Sequence, residues 1–283
     1  MSADPQRMSE TISDARSFLF VPGDRPERFA KALATAADII VIDFEDAVAT
    51  QKKGDAREGF KSFSSGADIG RVVVRINATG TNHFERDVDA CLAAGVGAIM
   101  LAKTEGHRDL ERLVSKAENM RMIALVESAI GVDRCGEIAA HHAVDRIAFG
   151  SIDYRLDLGI PEDGPGLSSA RSEIVLRSRL ASIPAPIEGV TTAYNDEALL
   201  LSEIRLARSF GFGAKLAIHP AQIEAINAGF APTEAEVAWA KRIAAAVAAV
   251  GGEVGAVSLN GEMIDRPVLV RAEKILERMG LSQ

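Results

Sequence analysis

A short apolar run followed by an amphipathic, helix-length segment recurs eight times between Ser17 and Phe230, and this recurrence constrains the fold more than any other feature. The apolar runs are SFLFV (17–21), IIVID (39–43), RVVVRI (71–76), GAIMLAK (97–103), MIALV (122–126), RIAFG (146–150), IPAPIEGV (183–190) and GAKLAIHP (213–220). Between them stand helix-periodic stretches such as RFAKALATA, HFERDVDACLAAG, DLERLVSKAENM, a segment from about Gly131 to His142, SSARSEIVLRSRLA, Asp196 to Phe210, and AQIEAINAGF. Strands joined through helices run parallel, because each crossover returns the chain to the edge it left. Eight such units in about 215 residues is the count of a (β/α)8 TIM barrel, whose usual size is roughly 250 residues. The competing doubly wound sheet would normally carry a glycine-rich fingerprint after its first strand, and PGDRPERF has no GxGxxG. The expectation is an α/β barrel over residues 16–230, undivided by any linker.

Two segments lie outside the repeat. Residues 1–15 are polar and are expected to form a disordered tail. Residues 231–283 begin with a capping box, Thr233 and Glu236, before the helix VAWAKRIAAAVAAV, which Gly251 and Gly252 should stop. AVSLNGEMID then reads as two short strands around an Asn-Gly turn, and a last helix should run from near Pro267 to Met279. Such an extension packs on its own barrel or on a neighbouring subunit, so a homo-oligomer, trimer or hexamer, is expected.

A net charge of −8 without any basic cluster excludes a nucleic-acid partner. The longest Ala/Val stretch, Ile243 to Val250, is too short to span a bilayer, so no membrane partner is expected. Cys91 and Cys135 stand far apart in helical segments and read as reduced, buried thiols, and the first fifteen residues resemble neither a signal nor a transit peptide. A cytoplasmic location follows as the expectation.

Chemistry concentrates where the runs end, because barrel sites sit at the C-terminal ends of the strands. MIALV ends in Glu127, and RIAFG is followed shortly by Asp153. Two carboxylates brought to one rim repel, raise each other's pKa and favour a shared hard cation such as Mg²⁺. Either acid alone would be read as a helix cap. Arg75 ends the run VVV before the small-residue loop INATGT, where a guanidinium can grip a carboxylate through two parallel hydrogen bonds. An internal ion pair with Glu45 or Asp46 is the alternative for Arg75. Lys103 could serve as a Schiff-base nucleophile only with a depressed pKa, and the nearby carboxylates should raise it.

The motifs LFVPGDRPERFAKAL, DFEDAV, VRINATGT, LVESAIG, FGSIDYRLDLG, KLAIHPAQI and GEMIDRPV together resemble the citrate lyase β-subunit-like group of the HpcH/HpaI aldolase superfamily, which includes malyl-CoA and citramalyl-CoA lyases. The resemblance runs from residue 16 to about 276. It implies a Mg²⁺-dependent carbon–carbon lyase acting on a 3-hydroxyacyl thioester such as citryl-, malyl- or citramalyl-CoA. By motif, Glu127 and Asp153 would be the metal ligands, with Glu127 also facing the substrate. Arg75 would hold the keto-acid part, while Glu45 and Asp46 would order metal-bound water beside it. Arg16, Lys31, His219 and Pro220 would lie towards the coenzyme A or acyl-carrier end, and Asp265 would be the acid/base at the acetyl carbon, in a neighbouring subunit's site. Three positions depart from the pattern: Ala102 replaces a proline, Ile152 a glutamate and Glu188 an aspartate. A pyruvate-type aldolase acting on free acids would carry a histidine after the second strand, and FEDAVATQKK has none. A non-catalytic subunit of a citrate-lyase-like complex would not need Glu127, Asp153, Arg75 and Asp265 together.

Overall fold

In a computed structural model, which describes residues 5–249, 257–259, 262–277 and 279, the chain divides into two compact units, residues 1–230 and 231–283. The first is a closed parallel barrel in the order β1 (Ser17–Pro22), β2 (Ile39–Asp43), β3 (Val72–Ile76), β4 (Ala98–Leu101), β5 (Arg121–Val126), β6 (Val144–Phe149), β7 (Ile187–Glu188), β8 (Ala214–Ala217). Closure is made by Ser17, Phe18 and Leu19 of β1 pairing with Lys215, Leu216 and Ala217 of β8. Its helices are α1 (Pro5–Asp14), α2 (Phe29–Leu33), α3 (Lys53–Ser64), α4 (Phe84–Ala94), α5 (His107–Val114), α6 (Ala129–Asp133), α7 (Cys135–Ala139), α8 (Ser151–Leu158), α9 (Ser168–Leu180), α10 (Glu197–Phe210) and α11 (Ile223–Phe230).

Strand side chains alternate between two cores, as a pleat requires. Phe18, Ile39, Val41, Val73, Met100, Leu125, Ala148 and Leu216 fill the lumen. Their neighbours Leu19, Ile40, Ile42, Val72, Val74 and Ile147 pack outward against the helices. Continuing the inward set by two residues reaches Phe20, Asp43, Arg75, Glu127 and Gly150. The apolar lumen therefore ends, in register, in a layer of charge.

The segment expected to be a disordered tail is instead α1, and it joins the lumen core. Met8 and Ile12, one turn apart, are buried with Ala15 among Phe18, Ile123 and Ala148. Its average polarity hides this stripe of three apolar residues. The helix end is held by Arg146, whose guanidinium donates to the carbonyls of Ile12 (2.8 Å) and Ala15 (2.7 Å) and to that of Ala185 (2.6 Å). Those bonds satisfy carbonyls that a helix C-terminus leaves open. Ile12→Ala should cost about 2–5 kcal/mol, read as a lower urea midpoint at unchanged slope; an unchanged midpoint would mean that α1 contributes nothing to closing the barrel.

Three local differences from the sequence expectation have physical reasons. The seventh strand shrinks to Ile187–Glu188, because Pro184 and Pro186 have no N–H to give to a ladder. The helix expected over 131–142 is two short ones, α6 and α7, broken at Arg134. An additional helix, α8, follows β6 directly and carries Asp153 in its first turn.

The second unit consists of α12 (Glu234–Ala249), the antiparallel pair β9 (Val257–Leu259) and β10 (Glu262–Ile264), and α13 (Arg266–Glu277). Its own small core joins Ala240, Ile243 and Val247 of α12 to Ile264 and Ala272. The capping box is formed as expected: Thr233 N–H donates to Glu236 (2.7 Å) and Glu236 N–H to Thr233 Oγ1 (3.1 Å). The stop at Gly251 and Gly252 and the Asn260–Gly261 turn lie outside the described residues. Among the described residues, no helix is long and apolar enough to cross a membrane.

Candidate active site

The charged layer at the mouth of the barrel is built from neighbouring strands in register. Asp43 ends β2 directly opposite Arg75 of β3. Arg75 Nε and Nη2 donate to the two oxygens of Asp43 at 2.7 and 2.6 Å, its Nη1 lies 3.3 Å from Glu45, and its guanidinium covers the Phe20 ring at 4.7 Å. Asp43 also accepts the N–H groups of Glu45 (2.8 Å) and Ala47 (2.9 Å), so this fully buried carboxylate has four donors. Burial alone would lower the Arg75 pKa, but Asp43 and Glu45 more than offset it and hold the guanidinium charged. The internal ion pair considered for Arg75 is thus real, although its main partner is Asp43 rather than Glu45 or Asp46.

Glu45 is itself buried, and burial pushes its carboxyl up despite Arg75 and Lys103 nearby. The backbone carrying it is fixed from below by buried Lys53 of α3, whose ammonium donates to the carbonyls of Phe44 and Glu45, both at 2.8 Å, and to Asn77 Oδ1 at 2.7 Å. Lys103 pairs with Glu45 and lies 3.6 Å from the more exposed Asp46. Burial lowers the Lys103 pKa, yet the hydrogen bond to Glu45 and the fields of Glu127 and Asp46 outweigh it, and the net shift is upward. That direction opposes a Schiff-base role. Lys103 also takes φ of 50°, the left-handed region, which costs a residue with a Cβ roughly 1–2 kcal/mol. The unusual backbone coexists with its N–H donating to Glu127 Oε1 at 2.8 Å.

Glu127 leaves β5 into this layer almost fully buried. Burial first, and the charge of Asp153 second, push its carboxyl up to about 8. The sequence expectation that these acids meet at one rim therefore holds, with Asp153 presented from the first turn of α8. Gly150 makes the approach possible, since a Cβ there would lie 2.4 Å from Glu127 Cβ and 2.6 Å from its Oε2. Gly150→Ala should displace Glu127 and reduce kcat/KM by about 10²-fold, the effect of a misplacement near 1 Å, without unfolding the protein. Wild-type kinetics in that variant would show that the position of Glu127 does not matter.

Between these groups lies a small cavity of about 60 Å³ lined by Phe20, Arg75, Glu127, Gly150, Asp153 and Val190 among others. Its charge does not balance. Asp43, Glu45, Glu127 and Asp153 are buried or half-buried acids; Arg75 and Lys103 pair with Asp43 and Glu45, and the field of Lys53 reaches the same two, but among the described residues no cation forms an ion pair with Glu127 or Asp153. The deficit corresponds to one divalent cation. Glu127 and Asp153 are oxygen donors on the cavity wall, as a hard ion requires, so the residues present fit such an ion.

The remaining expected site residues fall in several places. His219 and Pro220 follow β8 at the same rim; His219 stacks on Tyr194 at 4.7 Å and its Nδ1 accepts the Ala221 N–H at 3.2 Å. Lys31 is exposed on α2. Arg16 does not join the site. It precedes β1, its N–H donates to Asp38 (2.7 Å) and its carbonyl accepts from Lys215 (2.9 Å), which fixes it at the opposite end of the barrel. A residue before a strand cannot reach the rim where that strand ends. Asp265 belongs to the second unit, where its carboxylate accepts the Val268 N–H at 3.1 Å and caps α13. Glu188, one of the departures, is held by Arg171 Nε at 2.8 Å, and Arg171 also binds Asp163 at 2.9 and 2.7 Å. Sequence reasoning placed Asp43 at a strand end without a role, and it missed Lys103 as the partner of Glu45 and Gly150 altogether. Asp43 was visible as the next inward position after Ile39 and Val41.

A closed (β/α)8 barrel with an acid-rich, cation-deficient mouth defines a barrel enzyme. The chain belongs to the HpcH/HpaI aldolase/citrate lyase family, whose signature spans residues 16–220, and is a lyase-type enzyme of that superfamily. It is 36% identical to the citrate lyase subunit beta of Leuconostoc mesenteroides subsp. cremoris, covering 93% of this chain and 92% of that one. It is 32% identical to a (3S)-malyl-CoA thioesterase of Cereibacter sphaeroides, over 96% of each. Among solved structures, the CitE protein of Mycobacterium tuberculosis in complex with magnesium, acetoacetate and coenzyme A superposes with a TM-score of 0.84 at 35% identity, covering 94% of this chain and 98% of that chain.

Proposed function

We propose that this enzyme is a Mg²⁺-dependent carbon–carbon lyase that cleaves a 3-hydroxyacyl thioester reversibly into a 2-keto acid and an acetyl thioester. The charge deficit at the barrel mouth carries this reading, and the magnesium and coenzyme A of the mycobacterial relative support it. Glu127 and Asp153 would hold the ion, which when bound supplies positive charge for the oxygens of the hydroxy acid. In cleavage, the hydroxyl proton leaves, the carbinol carbon becomes the ketone, and the bond electrons pass to the thioester side, where a proton completes the methyl group. Arg75, locked in orientation by Asp43, faces the keto-acid end and stabilises charge developing there. Glu45 and Asp46, bridged by Lys103, order water at the cavity edge. His219 and Pro220 border the thioester end. Asp265 is assigned the proton transfer at the acetyl carbon, acting in a neighbouring subunit of a homo-oligomer.

The reading is tested in the condensation direction, with acetyl-CoA, an acetylated carrier protein and a panel of 2-keto acids, by mass spectrometry of the products. Formation of a 3-hydroxyacyl thioester that stops on chelation is the expected result; full turnover in chelator would overturn it. The thioesterase relative makes hydrolysis a second reading, and supplying the 3-hydroxyacyl thioester itself separates it, since hydrolysis releases the free thiol and an intact hydroxy acid whereas cleavage releases a keto acid and an acetyl thioester. Inactive Asp265→Asn and Glu127→Gln chains, refolded together, should regain part of the activity. An active Asp265→Asn enzyme removes that residue from the mechanism, and mixed oligomers without recovery place its action within one chain.

A further inference from the structure

His107 and Glu111 stand one helical turn apart on α5, at positions i and i+4, and project from the same outer face of the barrel. His141 reaches this face from the turn between α7 and β6, and it is buried to 7% exposure while its two partners are exposed. His141 Nε2 lies 3.0 Å and His107 Nε2 3.7 Å from Glu111 Oε1, and the three ligand atoms all fall within 4.8 Å of one another. Bonds of about 2.0–2.2 Å in a tetrahedral zinc site place ligand atoms roughly 3.3–3.6 Å apart, inside the range these three already span. Two imidazoles and one carboxylate make a nitrogen-rich set, suited to zinc and its first-row neighbours, whereas the acids at the barrel mouth suit a hard ion.

We propose that His107, Glu111 and His141 form a second metal site, outside the barrel, that takes a transition-metal ion of the zinc class and clips α5 to the turn leading into β6. His141 Nδ1 now accepts the Ala143 N–H at 3.2 Å, which leaves the ring proton on Nε2, directed at Glu111. Metal binding at Nε2 moves that proton to Nδ1 and gives up two hydrogen bonds, the one accepted from Ala143 and the one directed at Glu111, in exchange for metal bonds to His141 Nε2 and to the Glu111 carboxylate. The adjacent His142 ring, stacked on His141 at 4.6 Å and 28°, covers one face of the imidazole. His107 and Glu111 are exposed and can close the short remaining distance. Three ligands leave the fourth position to water, and the site shares no residue with the mouth cavity.

Equilibrium dialysis of the untagged, full-length protein against Zn²⁺ in excess Mg²⁺ tests the site. The wild type should bind one Zn²⁺ per chain more than either His107→Ala or Glu111→Gln. Its melting temperature should rise with Zn²⁺ by an increment the variants lack. Both variants change exposed side chains, so Mg²⁺-dependent turnover should match the wild type. The difference between proteins cancels any Zn²⁺ taken up at Glu127 and Asp153, so the result is independent of the proposed reaction. Equal zinc stoichiometry in the three proteins overturns the proposal, and so does a wild type that binds none.

Discussion

Glu127→Gln should lose Mg²⁺ affinity and turnover together while the barrel stays folded. Glutamine keeps the shape of the side chain, so its carbonyl can still accept the Lys103 N–H that now binds Glu127 Oε1 at 2.8 Å. The charge is lost, and the rate should fall on the order of 10²–10³-fold, the typical effect of removing one preorganised electrostatic group. The pH dependence follows from the carboxyl value of about 8, raised first by burial and then by Asp153. Below that value the metal-free carboxyl holds a proton that Mg²⁺ must displace, so apparent Mg²⁺ affinity should fall about tenfold per pH unit and level off above it. Stability has the opposite sign. A folded value above the ordinary 4.5 contributes stability that is complete below pH 4.5 and lost as pH rises through about 8. Metal-free Glu127→Gln should therefore melt no lower than metal-free wild type at pH 9. Titration calorimetry and thermal melts across pH check both expectations. A variant with wild-type Mg²⁺ affinity would remove Glu127 from the metal site.

Arg75→Ala should do more damage to the fold than to any single binding step. It strips the counter-charge from Asp43, at 0% exposure, and leaves Glu45, at 5%, with Lys103 alone. Breaking a buried pair by removing one partner costs about 3–5 kcal/mol, because the other charge is left without compensation. Urea denaturation should show that loss, and a cost below 1 kcal/mol would mean that Asp43 is balanced by something else. Arg75→Lys separates structure from chemistry. It keeps the charge but cannot make two parallel bonds to Asp43, so the protein should fold while kcat/KM falls by about 10²–10³. Lysine with wild-type kinetics would show that only the charge at this position matters.

Much of the architecture is legible in the amino-acid sequence, and for one physical reason. Apolar runs at strand length, alternating with helix-periodic segments, leave few closed solutions, and the barrel is the one with eight parallel strands. Glu127, Asp153 and Arg75 are legible because they interrupt apolar runs at strand ends. What stays hidden depends on register or on distant chain. Asp43 looks like one acid among several in DFEDAV until its pairing with Arg75 fixes which one faces inward. The role of Gly150 is defined only by a side chain on the neighbouring strand. Helix α1 is masked because three apolar residues in a polar segment gain meaning only when the lumen exists to receive them. Arg16 was placed by motif, and its position before β1 rather than after it puts it at the wrong end.

The closure of the barrel floor has a consequence for the order in which the protein can assemble on the ribosome. Helix α1 leaves the exit tunnel before any strand of the barrel, yet the carbonyls at its end are bound by Arg146, 134 and 131 residues downstream. At roughly 5–20 residues per second, that partner follows by on the order of ten seconds. A ten-residue helix is marginal alone in water, and during that interval Met8 and Ile12 lack the closed lumen that buries them. The first strand waits longer still, since one of its two edges pairs only with β8. Every nascent chain therefore carries an unburied apolar stripe ahead of the barrel, the kind of segment that chaperones retain, until the sixth strand completes its docking site.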